Sequence, residues 1–388
     1  MASASQPGAP QSARRPGFFV HLDQFWLRVT EGLELSQLWR QFRTDARASY
    51  RLYQRDFDAH MPREARRHHF WHTVQELAWA ILEKLTPARR VLLLLGVVLL
   101  VLPGSGVQFQ RGGHVEVVQF DLRFWGGAVL LLLLTLEIAD RVVMKRDLEI
   151  ARDIQKWLLP ATPPPVPGLA IAFSTRPANT VAGDYYDVFP RTGQERHYLF
   201  AVADVAGKSI PAALLMATFQ ASLKTLSATP CTLDELVAGM NRYACNNSQG
   251  GLRFTTAFLA DYDSGSGTLS YINAGHNTPA LRRSSGAVER LTNGGLPLGI
   301  QPDAAYESGT VTLHSGDWLL IFTDGLVEAL NDRGEEYGEA RMLDVLHSGS
   351  ASNPDELLRR LMINVDGFVG ATPQHDDITC MVVQVTAG

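Results

Sequence analysis

Five aspartates stand at the ends of apolar runs. Asp184 lies in AGDYYD, Asp204 closes the run in FAVADVAG, Asp324 closes LLIFTDG, and Asp376 and Asp377 open HDDITCMVV. A carboxylate at such a place is costly to bury unless a cation meets it. Clustered and uncompensated, the carboxylates repel until one takes a proton. Ligation by oxygen alone selects hard cations such as Mg²⁺ and Mn²⁺ rather than zinc. A single Asp-Gly such as Asp324-Gly325 is as readily a turn former. Four such positions in one domain point to metal binding. The three cysteines, Cys231, Cys245 and Cys380, lack CxxC spacing and indicate neither a disulfide framework nor a zinc knuckle.

The elements that must hold these residues fill about 220 residues, roughly one large domain. Strand-like runs bounded by turn residues read LAIAFSTR, HYLFAVADV, TTAFLADYD, TLSYINAG, AVERL, DWLLIFTDG and ITCMVVQV. Helical runs read SIPAALLMATFQASLKTL, TLDELVAGMNRYACN, GEARMLDVLHS and NPDELLRRLMINVDGFV. Ser209 is the expected cap of the first of these helices, with Pro211 in its first turn. Many strands mixed with helix pairs give an α+β layered domain over residues 168–386.

Residues 141–167 read as a linker. A charged helix carries Val143, Ile150 and Trp157 at intervals of seven, and PATPPPVP ends it as a stiff spacer. That stripe either packs on its own domain or pairs with a second copy to form a homodimer. Residues 89–140 hold two leucine-rich segments, at about 91–104 and 124–139, the first uncharged throughout and the second uncharged over Phe124–Leu136, with Arg89 and Arg90 before and Arg141, Lys145 and Arg146 after. Both runs are short against the ~20 residues of a spanning helix. The flanking charges nevertheless lead us to expect a transmembrane hairpin with a short outside loop at 104–123. That makes the chain a multi-pass protein of the inner or plasma membrane with both termini cytoplasmic. Residues 1–88 form a helical, basic region without a signal peptide, and the cluster His68, His69 and His72 lacks the partners of a metal site.

Composition sets the outer bounds. Hydrophobic residues make up 46% and charged residues 19% of the 388, which excludes a disordered chain. The net charge of −5 excludes a generally basic nucleic-acid binder; the first 90 residues carry 14 Lys+Arg against 9 Asp+Glu but no binding motif.

Residues 150–386 resemble the metal-dependent protein phosphatase (PPM) superfamily in its SpoIIE-like, RsbU-type branch. The resemblance rests on an ordered set: ARDIQKWLLP, RPANTVAGDYYDVF, VADVAGKSIPAALLM, INAGHNTPAL, GGLPLGI, IFTDGLVEA and HDDIT. It implies an αββα sandwich and a serine/threonine phosphatase that uses two Mn²⁺ or Mg²⁺ ions. It also implies roles. Asp204 bridges the ions, the carbonyl of Val205 ligates one, Asp324 and Asp376 complete the other's shell, and Asp184 binds directly or through water. Asp187 and Asp377 are supporting candidates. The implied partner is a phosphoprotein, typically an anti-sigma-factor antagonist of the STAS type. This chain has DVAGK followed by Ser209 where the family often reads DVSGHG, so Lys208 replaces a histidine suited to protonate the leaving group. Lys208 is then a catalytic candidate, binding phosphate or the leaving oxygen through its charge. Arg176 is a candidate phosphate clamp, His276 reads as structural, and His375 is placed to orient Asp376. The competing readings are a pseudophosphatase acting as a membrane signalling scaffold, and a small-molecule phosphohydrolase.

Overall fold

The computed structural model describes residues 82, 85–102, 105–111, 114–247, 253–348 and 351–386. Most of the basic N-terminal region, its histidines included, lies outside them. Two compact units divide the chain, residues 1–138 and 139–388.

In the first unit, Pro87 opens helix α1 (Pro87–Val101), with Thr86 extended before it at ψ 152°. Strands β1 (Ser105–Arg111) and β2 (His114–Phe120) follow as an antiparallel hairpin, Ser105 opposite Phe120. Helix α2 (Leu122–Leu158) begins here and runs on into the second unit. Gly96 and Gly126 let α1 and α2 meet closely; a Cβ on Gly126 would stand 2.9 Å from the Gly96 carbonyl oxygen. Arg89 Nη1 pairs with Glu137 Oε2 at 3.0 Å.

The expected transmembrane hairpin is overturned, and with it the multi-pass location in an inner or plasma membrane. Among the described residues no helix is long and apolar enough to cross a membrane. Helix α1 has 15 residues, about 22 Å at ~1.5 Å per residue, against a hydrocarbon core of ~30 Å. The uncharged run of α2, Phe124–Leu136, is shorter still, and Glu137, Asp140 and Arg141 follow it at once. Counting flanking arginines over-weighted charge and under-weighted length. The expected outside loop is instead the β1–β2 hairpin.

The second unit has four layers. One sheet runs in the order β10-β7-β6-β5-β4, with β11 also on β7. Its strands are β4 (Tyr185–Pro190), β5 (His197–Val205), β6 (Thr255–Asp263), β7 (Thr268–Ala274), β10 (Gly294–Gly295) and β11 (Gly309–Thr312). The other runs β3-β13-β12-β8-β9, from β3 (Leu169–Arg176), β8 (Ala280–Arg282), β9 (Val288–Arg290), β12 (Trp318–Phe322) and β13 (Ile378–Val385).

Period-two alternation assigns the faces. On β5, Phe200 and Val202 enter the core between the sheets, where they join Phe258, Ile321, Met381 and Val383. Leu199, Ala201, Ala203 and Val205 face the other way, under helices α3 (Ser209–Leu226) and α4 (Leu233–Asn247). On β13, Ile378, Cys380 and Val382 turn outward to α5 (Asp324–Val327), α6 (Gly338–His347) and α7 (Pro354–Val369). Strands β5 and β13 are apolar on both faces because both faces are covered.

One cap differs from expectation. The capping position of α3 is Lys208, without a side-chain cap, and Ser209 lies inside the helix at φ +61°. The turn through Gly207, at φ +125°, brings the chain in from an angle a plain serine cap does not fit. Asn353 does cap α7, its side chain accepting from Glu356 N.

Candidate metal centre

The strand ends converge. Asp204 and Val205 finish β5 opposite Thr256 and Thr255 of β6. Asp184 directly precedes β4, whose Tyr185 pairs with Ala203, so Asp184 and Asp204 meet across adjacent strands. In the other sheet Phe322 pairs with Cys380. Asp324, just past β12, therefore lies beside Asp376 and Asp377, just before β13. Gly325 makes that approach possible: a Cβ there would fall 2.1 Å from the carbonyl oxygen of Asp377.

Two hydrogen-bonded residues join the halves. Thr323 is fully buried; its hydroxyl donates to Asp184 Oδ2 at 2.9 Å and accepts from Thr379 N at 2.9 Å. The Asp377 carboxylate accepts from Ala178 N at 2.7 Å and Gly183 N at 2.6 Å, which pins the loop carrying Asp184.

The electrostatics follow from this crowding. Burial, then the neighbouring Asp204, pushes Asp184 well above the usual carboxylate range. Burial, then Asp324 and Asp376, pushes Asp204 up to about 7. Burial raises Asp324, with Asp376 adding to it. Asp377 is raised by burial, with its two backbone donors opposing. Glu328 is raised by burial and by Asp324. Negative charge thus gathers at one end of the sandwich, beyond what the site's own cations offset.

Lys208 is one of those cations. Its Nζ pairs with Asp376 Oδ2 at 2.9 Å and donates to the His375 carbonyl at 2.6 Å. Beside it opens a cavity of about 200 Å³ lined by Arg176, Lys208, Glu328, Glu336, His375 and Asp376. The carbonyl oxygen of Val205 lies by Gly183, 3.1 Å from where a Cβ would stand. Among the described residues no three acidic, histidine or cysteine side chains form a ready cage for an ion. In donor type and charge the set still fits hard divalent cations: every candidate ligand is an oxygen, and the carboxylates lack enough positive charge around them.

Other candidates lie elsewhere. Asp187 faces away from the cluster; it accepts from the Tyr185 hydroxyl at 2.8 Å and pairs with Lys224 at 2.6 Å. Arg176 lines the cavity but is ion-paired to Asp366. His276 is buried against the Thr256 hydroxyl at 3.0 Å, and burial pulls its pKa down to about 4, so it stays neutral. His375 contributes its carbonyl to Lys208. Sequence reasoning passed over Thr323 and Gln155. Gln155 is buried and grips the Ala182 backbone at both ends, donating to its carbonyl at 2.7 Å and accepting from its N–H at 3.0 Å. The signal for Thr323 was a polar residue inside the apolar run IFTDG.

Residues 194–386 match the family model for stage II sporulation protein E (SpoIIE). Protein IcfG of Synechocystis is 27% identical over 278 residues, which are 65% of this chain and 43% of that one. The chain thus corresponds to less than half of IcfG. The phosphoserine phosphatase RsbU of Bacillus subtilis is 28% identical over 245 residues, 62% of this chain and 70% of that one. Among solved structures, the SiaA-PP2C domain of Pseudomonas aeruginosa superposes with a TM-score of 0.55 at 22% identity, over 63% of this chain and 98% of that domain. The RsbU and RsbW domains of Rv1364c from Mycobacterium tuberculosis give a TM-score of 0.51 at 24% identity, over 59% and 63%. At these identities the structural likeness speaks for the fold.

Proposed function

Because the domain after the α2 helix belongs to the SpoIIE/RsbU-type branch of the metal-dependent protein phosphatases, we propose that this chain hydrolyses phosphoserine or phosphothreonine esters on a regulatory protein. The observation that carries this is the convergence of Asp184, Asp204, Asp324 and Asp376 from both sheets, each at a strand end. These four, with the Val205 carbonyl, would hold two Mn²⁺ or Mg²⁺ ions. Bound there, the ions supply an activated water and positive charge for the phosphoryl oxygens.

The chain's own groups prepare that chemistry. Thr323 fixes the rotamer of Asp184, and Asp377 fixes the loop in front of it. Lys208, once free of Asp376, reaches the cavity where a phosphoryl group and its leaving oxygen would sit, and stabilises their charge. No cysteine or serine nucleophile would be required, since the ions would supply an activated water.

The substrate class we favour is a small protein that switches partners on phosphorylation, an anti-sigma-factor antagonist of the STAS type. The named activity of RsbU supports a phosphoserine substrate. Dimerisation through α2 is part of the proposal: Val143, Ile150 and Trp157, seven residues apart, are all exposed, Trp157 by 83%. Gln155 occupies another side of that helix and binds the domain.

The Lys208–Asp376 pair favours one competing reading, a scaffold that binds a phosphoprotein without turnover. Phosphate release by the full chain from a phosphoserine peptide decides between them. Release that needs Mn²⁺ and is lost in chelator and in Asp204→Asn supports the phosphatase. A folded chain that binds Mn²⁺ and the peptide but releases nothing refutes it. Release from small phosphomonoesters at rates above the peptide's would move the substrate from protein to small molecule.

A further inference from the structure

Asp376 already has partners on both oxygens. Oδ1 accepts from Asp377 N at 3.0 Å, and Oδ2 takes the Lys208 ammonium at 2.9 Å. The Lys208 side chain is half-exposed there but doubly bonded. Its second bond, to the His375 carbonyl at 2.6 Å, fixes the ammonium over the loop before β13. Its charge also acts on Asp324, Asp377 and Glu328.

The backbone that presents Lys208 is strained. Gly207 sits at φ +125° and Ser209 at φ +61°. Among the described residues, Arg196 is the other non-glycine with positive φ. Strain of this kind persists where surrounding contacts over-determine it. At Lys208 those contacts are the two bonds to residues 375 and 376, because α3 has no side-chain cap of its own.

We propose that Lys208 is an internal counter-ion that occupies Asp376 in the metal-free chain and must be displaced by the divalent cation that Asp324 and Asp376 would share. The inference rests on the phosphatase reading only in taking that acidic end as a divalent-cation site. It gives an order of events. Cation binding releases Lys208, and the freed ammonium lies at the wall of the 200 Å³ cavity, beside Arg176. The positive charge that met Asp376 becomes available to a phosphoryl group only once the cation is in place. Lys208 is in this sense a positioning residue, acting through Asp376.

The test is Mn²⁺ binding to the full chain, measured by titration calorimetry without substrate. Lys208→Met removes the competing charge and should tighten the weaker Mn²⁺ site roughly tenfold, the scale expected of one partly screened pair plus repulsion between like charges. Lys208→Arg keeps the charge and should show no gain. In the Asp376→Asn background, Lys208→Met should give no gain either, because the pair is already gone. A general loss of structure would weaken Mn²⁺ binding, so the sign of the effect separates competition from damage. If Lys208→Met fails to fold, the wild type carries the test. The ¹⁵N-detected ammonium signal of Lys208, held by two acceptors in chelator, should shift and exchange faster with water on adding Mg²⁺. Equal or weaker Mn²⁺ affinity in folded Lys208→Met overturns the proposal. So does a gain that persists in Asp376→Asn, or an ammonium signal indifferent to Mg²⁺. Mn²⁺-dependent phosphate release by the wild type, run alongside, tells the two readings apart: present, the counter-ion idea fails alone; with no Mn²⁺ bound by any variant, both fail.

Discussion

Replacing Asp204 by asparagine should make the metal-free protein more stable. In the folded chain burial and the carboxylates of Asp324 and Asp376 push Asp204 up to about 7, against an ordinary 3.8. Full ionisation across that gap of ~3 units costs on the order of 4 kcal/mol. Asp204 keeps some contact with solvent and shares its proton equilibrium with Asp184, so ~2 kcal/mol is the working figure. For a domain of this size that is a melting shift of roughly 4–8 °C. The sign fixes the pH dependence. A carboxyl whose pKa rises on folding stabilises fully while protonated in both states, below the unfolded value of 3.8, and that contribution is lost as pH rises through about 7. The assay is thermal melting by circular dichroism at pH 5 and pH 8, in chelator and in Mn²⁺. In chelator at pH 8, Asp204→Asn should melt above the wild type; at pH 5 the gap should shrink. Mn²⁺ should raise the wild type more than the variant. A variant that melts lower in chelator at pH 8, or gains as much from Mn²⁺ as the wild type, refutes the account of this site as a charge cluster awaiting a cation.

Three further substitutions test the frame around it. Gly325→Ala places a methyl 2.1 Å from the Asp377 carbonyl; it should destabilise the domain by about 1–3 kcal/mol in urea unfolding and reduce phosphate release more than tenfold. Thr323→Val keeps the shape but strands the Thr379 N–H and removes one hydroxyl donor from Asp184; a loss of about 1–3 kcal/mol is expected, with weaker Mn²⁺ binding in calorimetry. Arg283→Ala removes the guanidinium paired at 2.7 Å with Asp317, which is 1% exposed. That should cost about 2–4 kcal/mol while phosphate release per folded molecule stays at the wild-type level, since the pair lies away from the acidic end.

The acidic centre was legible because its aspartates interrupt apolar runs. A residue such as Asp204, after Leu199–Ala203, has no reason to be there for packing. Strands such as HYLFAVADV and ITCMVVQV were legible by the same contrast, and the helices by their apolar stripes. Strand β4 was not read as a strand because YYDVFP shows no alternation: Tyr185 and Tyr186 are both buried, on opposite faces. The two-residue β10 and the short β8 and β11 exist through pairing with longer neighbours and leave no local pattern. The membrane hairpin failed for a different reason. Leucine content and flanking arginines are matters of composition, whereas crossing a bilayer is a matter of length. Lys208 was identified as unusual by its type, but its partner lies 168 positions away in the chain, and spacing says nothing of that.

The strand order has a consequence for the life of the chain before it is finished. Strand β13 lies between β3 and β12, in the interior of its sheet, although it is the last in chain order of the strands among the described residues. Until residues 376–385 have left the ribosome, β3 and β12 expose unpaired edges, Thr323 lacks the backbone partner that orients it, and Asp376 and Asp377 are absent from the site. At ~5–20 residues per second the nascent domain waits several seconds after β12 for its last strand. A chain without that strand therefore lacks part of the acidic end and, over the same interval, is most open to edge-to-edge association. The acidic end is completed by the same strand that closes the sheet.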